Sequence, residues 1–412
     1  MLFTRQGAAT LHAWGLLLVL VLLVATPVRS TIVVGLLLIH SLGYLVVHRA
    51  SLDVTPFDRW VLLLLCAMLL GRLAPFVLGD FSARYLSSGL HMMATIPVYL
   101  TLRHALTVAD LARYRGCLEW GLILGSLGGG VLAWYQTQWL GMVRADGFLF
   151  SINFGYLNAM LMALSLALMP GSSRRWWLLL GVVAAGMAVL LSGTRGAWVV
   201  IPVAVLLLVI LHLRGLGWKW LSVGLVVLPL AAWLSYHQFP VVERRYQQTV
   251  AEFERIQQGN LNTSVGYRFQ FWFAAVEAFK QRPLVGLAYH EREALNAELL
   301  EQGKLSAFVG NSSRGHAHSQ YFETLATGGV IGLLTLVGYL VVPGVYHARV
   351  FLRRRDDTFA LAGLSLTVAV AVCGFTEVLL QQEMIATVYA YMQGVLVALS
   401  RLKQRQSTVP AD

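Results

Sequence analysis

The chain has 412 residues, 57% of them hydrophobic and 12% charged, with a mean hydropathy of +0.66. That composition excludes a soluble globular domain and a disordered chain, and it points to a polytopic membrane protein before any motif is considered. A formal net charge of +11 would suggest nucleic acid in a soluble protein; in a membrane protein it reads as basic residues gathered in cytoplasmic loops and facing anionic lipid, so membrane lipid is an expected partner and nucleic acid is not.

A bilayer-spanning helix needs about 20 residues, and apolar runs near 11–27, 31–47, 60–79, 87–106, 117–138, 147–169, 176–193, 196–212, 218–235, 319–346, 358–378 and 383–400 give about twelve spans. The first could pass for a signal peptide, but a second apolar run starts at Thr31 after the turn Pro27-Val28-Arg29-Ser30, so a retained span is expected. An even number of spans leaves both termini on one side. The short loops of that side hold Arg49, Arg59, Arg103, Arg113, Arg115, Arg174, Arg175 and the run Arg353-Arg354-Arg355, whereas the opposite side offers Arg29, Arg72, Arg84, Arg144 and Arg195. Both termini are therefore expected in the cytoplasm. Cys66 and Cys373 lie in apolar runs and Cys117 beside a basic loop, a pattern with neither disulfide framework nor zinc spacing.

The expected organisation is an all-α polytopic membrane protein in three parts: transmembrane helices 1–9 over residues 1–235, one large helical loop over 236–318, and transmembrane helices 10–12 with a cytoplasmic tail over 319–412. The loop faces outward, which in a Gram-negative bacterium is the periplasm. Within it, Val242, Tyr246, Val250, Phe253 and Ile256 recur at helical spacing and predict an amphipathic helix on the membrane surface. Tyr267 to Gln281 predicts a second helix, ending at Arg282-Pro283, and Glu291 to Gln302 a third, ending at Gly303.

Chemistry concentrates where this loop meets the spans. Arg195, in Ser192-Gly193-Thr194-Arg195-Gly196, places a guanidinium at the outer edge of the bilayer, a functional candidate by default unless it merely reaches for lipid phosphate. Arg268 lies one turn before Trp272 and offers a planar fork suited to phosphate. His318 stands at the boundary where the loop gives way to an apolar run, and a neutral imidazole there can take a proton from a sugar hydroxyl. His316 reads as a surface histidine. A His-x-His pair lacking a third ligand of clear spacing is a weak metal signal, so no metal is expected. Arg72, Arg84, Arg314, Glu323 and Glu377 are secondary candidates, each equally readable as a structural partner.

These residues resemble the O-antigen ligase and polymerase superfamily, and the ligases most closely. The ligase signature is met by His318-Ser319, nine residues from Gln320 to Gly328, Gly329, Val330-Ile331 and Gly332. Arg195 in its short turn, and Arg268 and Trp272 followed by Pro283-Leu284-Val285-Gly286, look like the family's other patterns. The resemblance implies a GT-C-like glycosyltransferase of the inner membrane that needs no cofactor. Its donor would be an undecaprenyl-diphosphate-linked O-antigen and its acceptor the lipid A–core, with Arg195 and Arg268 offsetting the diphosphate charge and His318 as general base for inverting transfer. An O-antigen polymerase or a protein O-oligosaccharyltransferase would use the same type of donor. A lipid-linked glycan transporter, the rival from another class, predicts charged or broken helices at matching positions of two repeats, which the sequence lacks.

Overall fold

The computed structural model of the protein describes residues 2–27, 30–79, 81–216, 218–312 and 316–406, and every regular element among them is helical. The first half forms α1 (Arg5–Val21), α2 (Ser30–Val47), α3 (Pro56–Leu78), α4 (Arg84–Met93), α5 (Ile96–Ala105), α6 (Leu111–Trp134), α7 (Ser151–Leu168), α8 (Arg175–Leu191), the single turn α9 (Arg195–Trp198), α10 (Val200–Leu216) and α11 (Trp218–Gln238). The loop contributes α12 (Pro240–Gln257), α13 (Ser264–Gln281), α14 (Tyr289–Glu301) and the short α15 (Ala307–Gly310), and the chain closes with α16 (Gln320–Arg353), α17 (Thr358–Cys373) and α18 (Glu383–Gln406).

Among the described residues, six helical stretches are long and apolar enough to cross a membrane, namely α2, α3, α6 with the turns on either side of it, α7, α16 and α18, and three further apolar stretches are shorter, namely α8, residues 195–211 and α17. Isoleucines 32 and 39 and Leu36 on α2, with Leu334, Val341 and Val342 on α16, stand exposed, as side chains facing lipid would. This is the architecture of a multi-pass membrane protein. Local signals set several boundaries. Thr55 caps α3 by accepting from the Asp58 amide while Asp58 accepts from the Thr55 amide, with Pro56 at the first helical position, where its missing donor does no harm. The run expected as one span over 87–106 is instead two short helices meeting at Ala94 and Thr95, because Pro97 cannot donate the hydrogen bond that would carry α4 into α5.

One apolar core joins the membrane helices, with α6 against α1 and α8, α7 against α8 and α17, and α16 against α3 and α17. The loop has a smaller core of its own, built on Phe271, Ala275, Leu287, Leu295 and Leu299 and continued by Ala326 of α16. The two parts are tied together by main chain. Residue Gly329 interrupts α16 with φ 58°, and the groups freed there pair with the segment after α13: Leu287 N–H donates to Ala326 O at 2.8 Å, Val330 N–H to Pro283 O at 2.8 Å and Ile331 N–H to Leu284 O at 3.1 Å. A Cβ on Gly329 would come within 2.4 Å of the Leu284 carbonyl carbon, and one on Gly286 within 2.5 Å of the Gly328 nitrogen, so both sides of this contact require glycine. The amphipathic helix appears where its pattern placed it, as α12: Val242 is buried against the membrane core, while Tyr246, Val250 and Phe253 form a largely exposed apolar stripe, with Tyr236 edge-on to Tyr246 at 5.5 Å.

Candidate active site

His318 is held at the N-terminal end of α16 from both sides. The Ala317 N–H donates to Glu323 Oε2 at 3.0 Å, and the Gln320 N–H donates to Gly374 O at 2.7 Å. Between these anchors His318 adopts φ 45°, a left-handed conformation that side-chain-bearing residues seldom occupy and that persists only where the surroundings impose it. Its Nδ1 lies 3.4 Å from Oε2 of Glu377, a carboxylate just past α17 with only 4% of its side chain exposed. Because a carboxylate can only accept, a neutral His318 paired in this way carries its hydrogen on Nδ1 and offers the Nε2 lone pair, the arrangement a general base requires. Burial alone would raise the Glu377 pKa, but the hydrogen bond from His318 and the fields of both histidines outweigh it and hold the carboxyl below its usual range.

The ring of His316 lies 4.3 Å from that of His318, and its Nδ1 is 3.6 Å from Glu377 Oε1. Burial holds the His316 imidazole below its ordinary pKa against the pull of Glu377. One nitrogen from each histidine and one Glu377 oxygen lie within 4.8 Å of one another. A third potential metal ligand therefore exists, supplied from 59 residues downstream of His318, where no local spacing could announce it.

The arginines occupy two other faces. Arg195, at the start of α9, forms a two-pronged pair with Glu252 of α12 at 3.2 and 3.3 Å and donates to Thr249 Oγ1 at 2.8 Å. Two arginines that sequence reasoning left aside join it. Arg144 donates to Ser192 O at 2.7 Å and Thr194 Oγ1 at 3.2 Å, and its pKa is lowered to about 10, first by burial and then by the like charges of Arg245 and Arg195. Arg245, on α12, is lowered by burial and by Arg195. Glu252 thus acts on Arg195 and Arg245, while Arg144 feels only like charges from these two, an environment that favours a further anion. This cluster adjoins the histidines through Gly196, where a Cβ would come within 2.0 Å of Thr376 Oγ1, the residue before Glu377. Arg268 is half-buried, makes no hydrogen bond or ion pair among the described residues, and exerts its field, as Glu377 does, on the Tyr156 hydroxyl that bonds Thr376 at 2.8 Å. The ring of Trp272, one turn further along α13, stacks on Phe322 of α16 at 5.0 Å.

On the remaining face, buried Arg72 donates to Thr327 Oγ1 at 2.7 Å, and the exposed Arg84 lies over the Tyr289 ring at 5.6 Å. Glu323 is fully buried and paired with Arg292 at 2.7 Å, an anchor for the segment before α16 rather than a free acid. Arg314 lies outside the described residues.

A helical multi-pass membrane protein with an imidazole–carboxylate pair and clustered guanidinium groups, where a helical loop meets its spans, has the makings of an enzyme acting on a charged amphiphile at the membrane surface. Residues 179–337, which contain Arg195, Arg268 and His318, match the family model described as O-antigen ligase, a match that supports membership of the O-antigen ligase/polymerase superfamily. It is also 26% identical over 177 residues to an uncharacterized protein of Haemophilus influenzae, a match covering 42% of this chain and 44% of that one.

Proposed function

We propose that this protein is an O-antigen ligase, transferring polysaccharide from an undecaprenyl-diphosphate carrier to a sugar hydroxyl of the lipid A–core. In this reading it lies in the inner membrane with about twelve GT-C-like spans, both termini cytoplasmic and its active site on the periplasmic face. His318 Nε2 takes the proton of the acceptor hydroxyl as its oxygen attacks the anomeric carbon with inversion. The carbon–oxygen bond to the carrier breaks, and the diphosphate leaves with the bonding pair. Arg195 and Arg268, helped by Arg144 and Arg245, offset the growing charge on that diphosphate. Glu377 fixes the tautomer of His318 and stabilises the imidazolium formed on proton transfer.

The observation that supports this reading best is the Glu377 carboxylate 3.4 Å from His318 Nδ1, at the residue the ligase signature places first. A second reading, in which a divalent metal held by His316, His318 and Glu377 activates the hydroxyl, is favoured by the proximity of the three ligand atoms. An O-antigen polymerase or a protein oligosaccharyltransferase would use the same donor machinery and differ in acceptor.

The test uses purified full-length protein in detergent, undecaprenyl-diphosphate-linked glycan and lipid A–core, with and without chelator. Wild type is expected to form capped lipopolysaccharide equally in both, and His318→Ala to retain about 1% of the rate or less. Loss of activity with chelator, restored by a divalent metal, would establish the metal reading. Extension of carrier-linked glycan or modification of a protein, with no product on lipid A–core, would overturn the ligase assignment.

A further inference from the structure

Two cavities lie beside His316. The smaller, of about 200 Å³, is lined by Arg72, Arg84, Tyr289, His316, Gln381 and Gln382 among others, with no carboxylate among its lining residues. The larger, of about 420 Å³, shares five of those six and adds Arg292 and Glu293. Arg72 is only 4% exposed, yet among the described residues it bonds nothing but the neutral Thr327 hydroxyl, and its Nη2 has no partner at all. Glu323, whose charge reaches Arg72, is already taken by Arg292 and by the Ala317 amide. Arg84 has the π face of Tyr289 and, among the described residues, no carboxylate ion pair. A buried guanidinium lacking a counter-ion is unfavourable until an anion joins it, and the buried fork of Arg72 with the exposed fork of Arg84 beside one small cavity fits the tetrahedral or planar oxygens of a phosphate or carboxylate.

We propose that these cavities are an anion subsite for the acceptor, in which Arg72 and Arg84 hold a phosphate or carboxylate group of the acceptor glycolipid close to the hydroxyl that reacts. The proposal rests on the transfer reaction above. It favours acceptor over donor because, in an inverting displacement, the attacking hydroxyl and the leaving diphosphate lie on opposite sides of the anomeric carbon. The base sits with the hydroxyl. His316, which lines both cavities, is packed on His318 and shares Glu377 with it, so the cavities belong to the base's side, whereas Arg195 and Arg268 are reached through Thr376 and Tyr156.

Arg84 is exposed, so its replacement leaves the fold intact and makes the first test. Initial rates are measured with lipid A–core and with the same material stripped of phosphate by phosphatase, for wild type, Arg84→Ala and Arg84→Lys. For wild type, dephosphorylation is expected to raise the acceptor KM about tenfold, the worth of one charge-assisted contact. Arg84→Ala should show that raised KM with either acceptor, Arg84→Lys should recover part of the difference, and the donor KM should stay within about twofold. A rise in donor KM instead, or an acceptor KM indifferent to both phosphate and Arg84, overturns the proposal. A second measurement separates it from the transfer reading: inorganic phosphate should raise the thermal unfolding midpoint of wild type and not of Arg84→Ala. If no transfer is seen but this shift appears, the subsite stands and the ligase reading falls; if the shift is absent, the subsite falls.

Discussion

Glu377 is 59 residues from His318 in sequence and 3.4 Å from it in space. Its carboxyl stays ionised below the usual range, because the hydrogen bond and the two imidazoles outweigh burial. Glu377→Gln keeps the shape but removes the charge that opposes loss of the imidazolium, so kcat should fall by about a hundredfold while the donor KM hardly moves. The same residue makes a prediction about stability. A depressed carboxyl pKa contributes stability above the unfolded value near 4.5, and that stability is lost as pH falls through the lower folded value. Thermal midpoints recorded from pH 6 down to 3 should therefore drop more steeply for wild type than for Glu377→Gln; parallel curves would refute the ionised pair. From sequence alone, His318, Arg195 and Arg268 were legible because their chemistry stands out at an apolar boundary. Glu377 was visible only as one of several acids near outer loops, since nothing in a linear pattern says which acid folds back onto which histidine.

At the scale of single helices, α12 and α16 behave in opposite ways. α12 is tied to Arg195 by the Glu252 carboxylate, which occupies the fork that the proposed diphosphate would need, and its apolar side chains Tyr246, Val250 and Phe253 stand largely exposed. Glu252→Gln should thus lower the donor KM severalfold by removing the competing anion, and limited proteolysis within residues 240–257 should quicken as the helix loosens; unchanged kinetics would show that the donor does not enter this fork. The periodicity of α12 was plain in the sequence, but its partners were not, because a surface helix does not encode which way it lies. α16 is fixed instead by its glycine break. Gly329→Ala would drive a Cβ into the Leu284 and Pro283 backbone at a residue with positive φ, and should destabilise the protein by about 3 kcal/mol or more, seen as loss of the monodisperse fraction in detergent. The glycines of the signature were legible as a motif; that they mark an interrupted helix became evident only from the segment docked against them.

Across the whole molecule, apolar run lengths announced an all-helical membrane protein, and the basic loops suggested its orientation. The proline at position 97 and the shortness of α8 and α17 were less readable, because propensity is local and helix ends answer to neighbours. The proposed orientation makes a direct prediction. In spheroplasts, a cysteine placed by Asn262→Cys in the large loop should react with a membrane-impermeant maleimide, and one placed by Asp356→Cys should react only after lysis; both positions are exposed, and the reverse pattern would invert the topology. The main-chain tie between Pro283–Leu287 and the interrupted α16 also bears on how such a protein can be made. In hydrocarbon, a helix with unpaired amides is costly, and Val330 and Ile331 find their acceptors in Pro283 and Leu284, each 47 residues earlier in the chain. Helix α16 therefore completes its own hydrogen bonding only once the loop has returned to it, so the loop is part of what makes that helix tolerable in a bilayer.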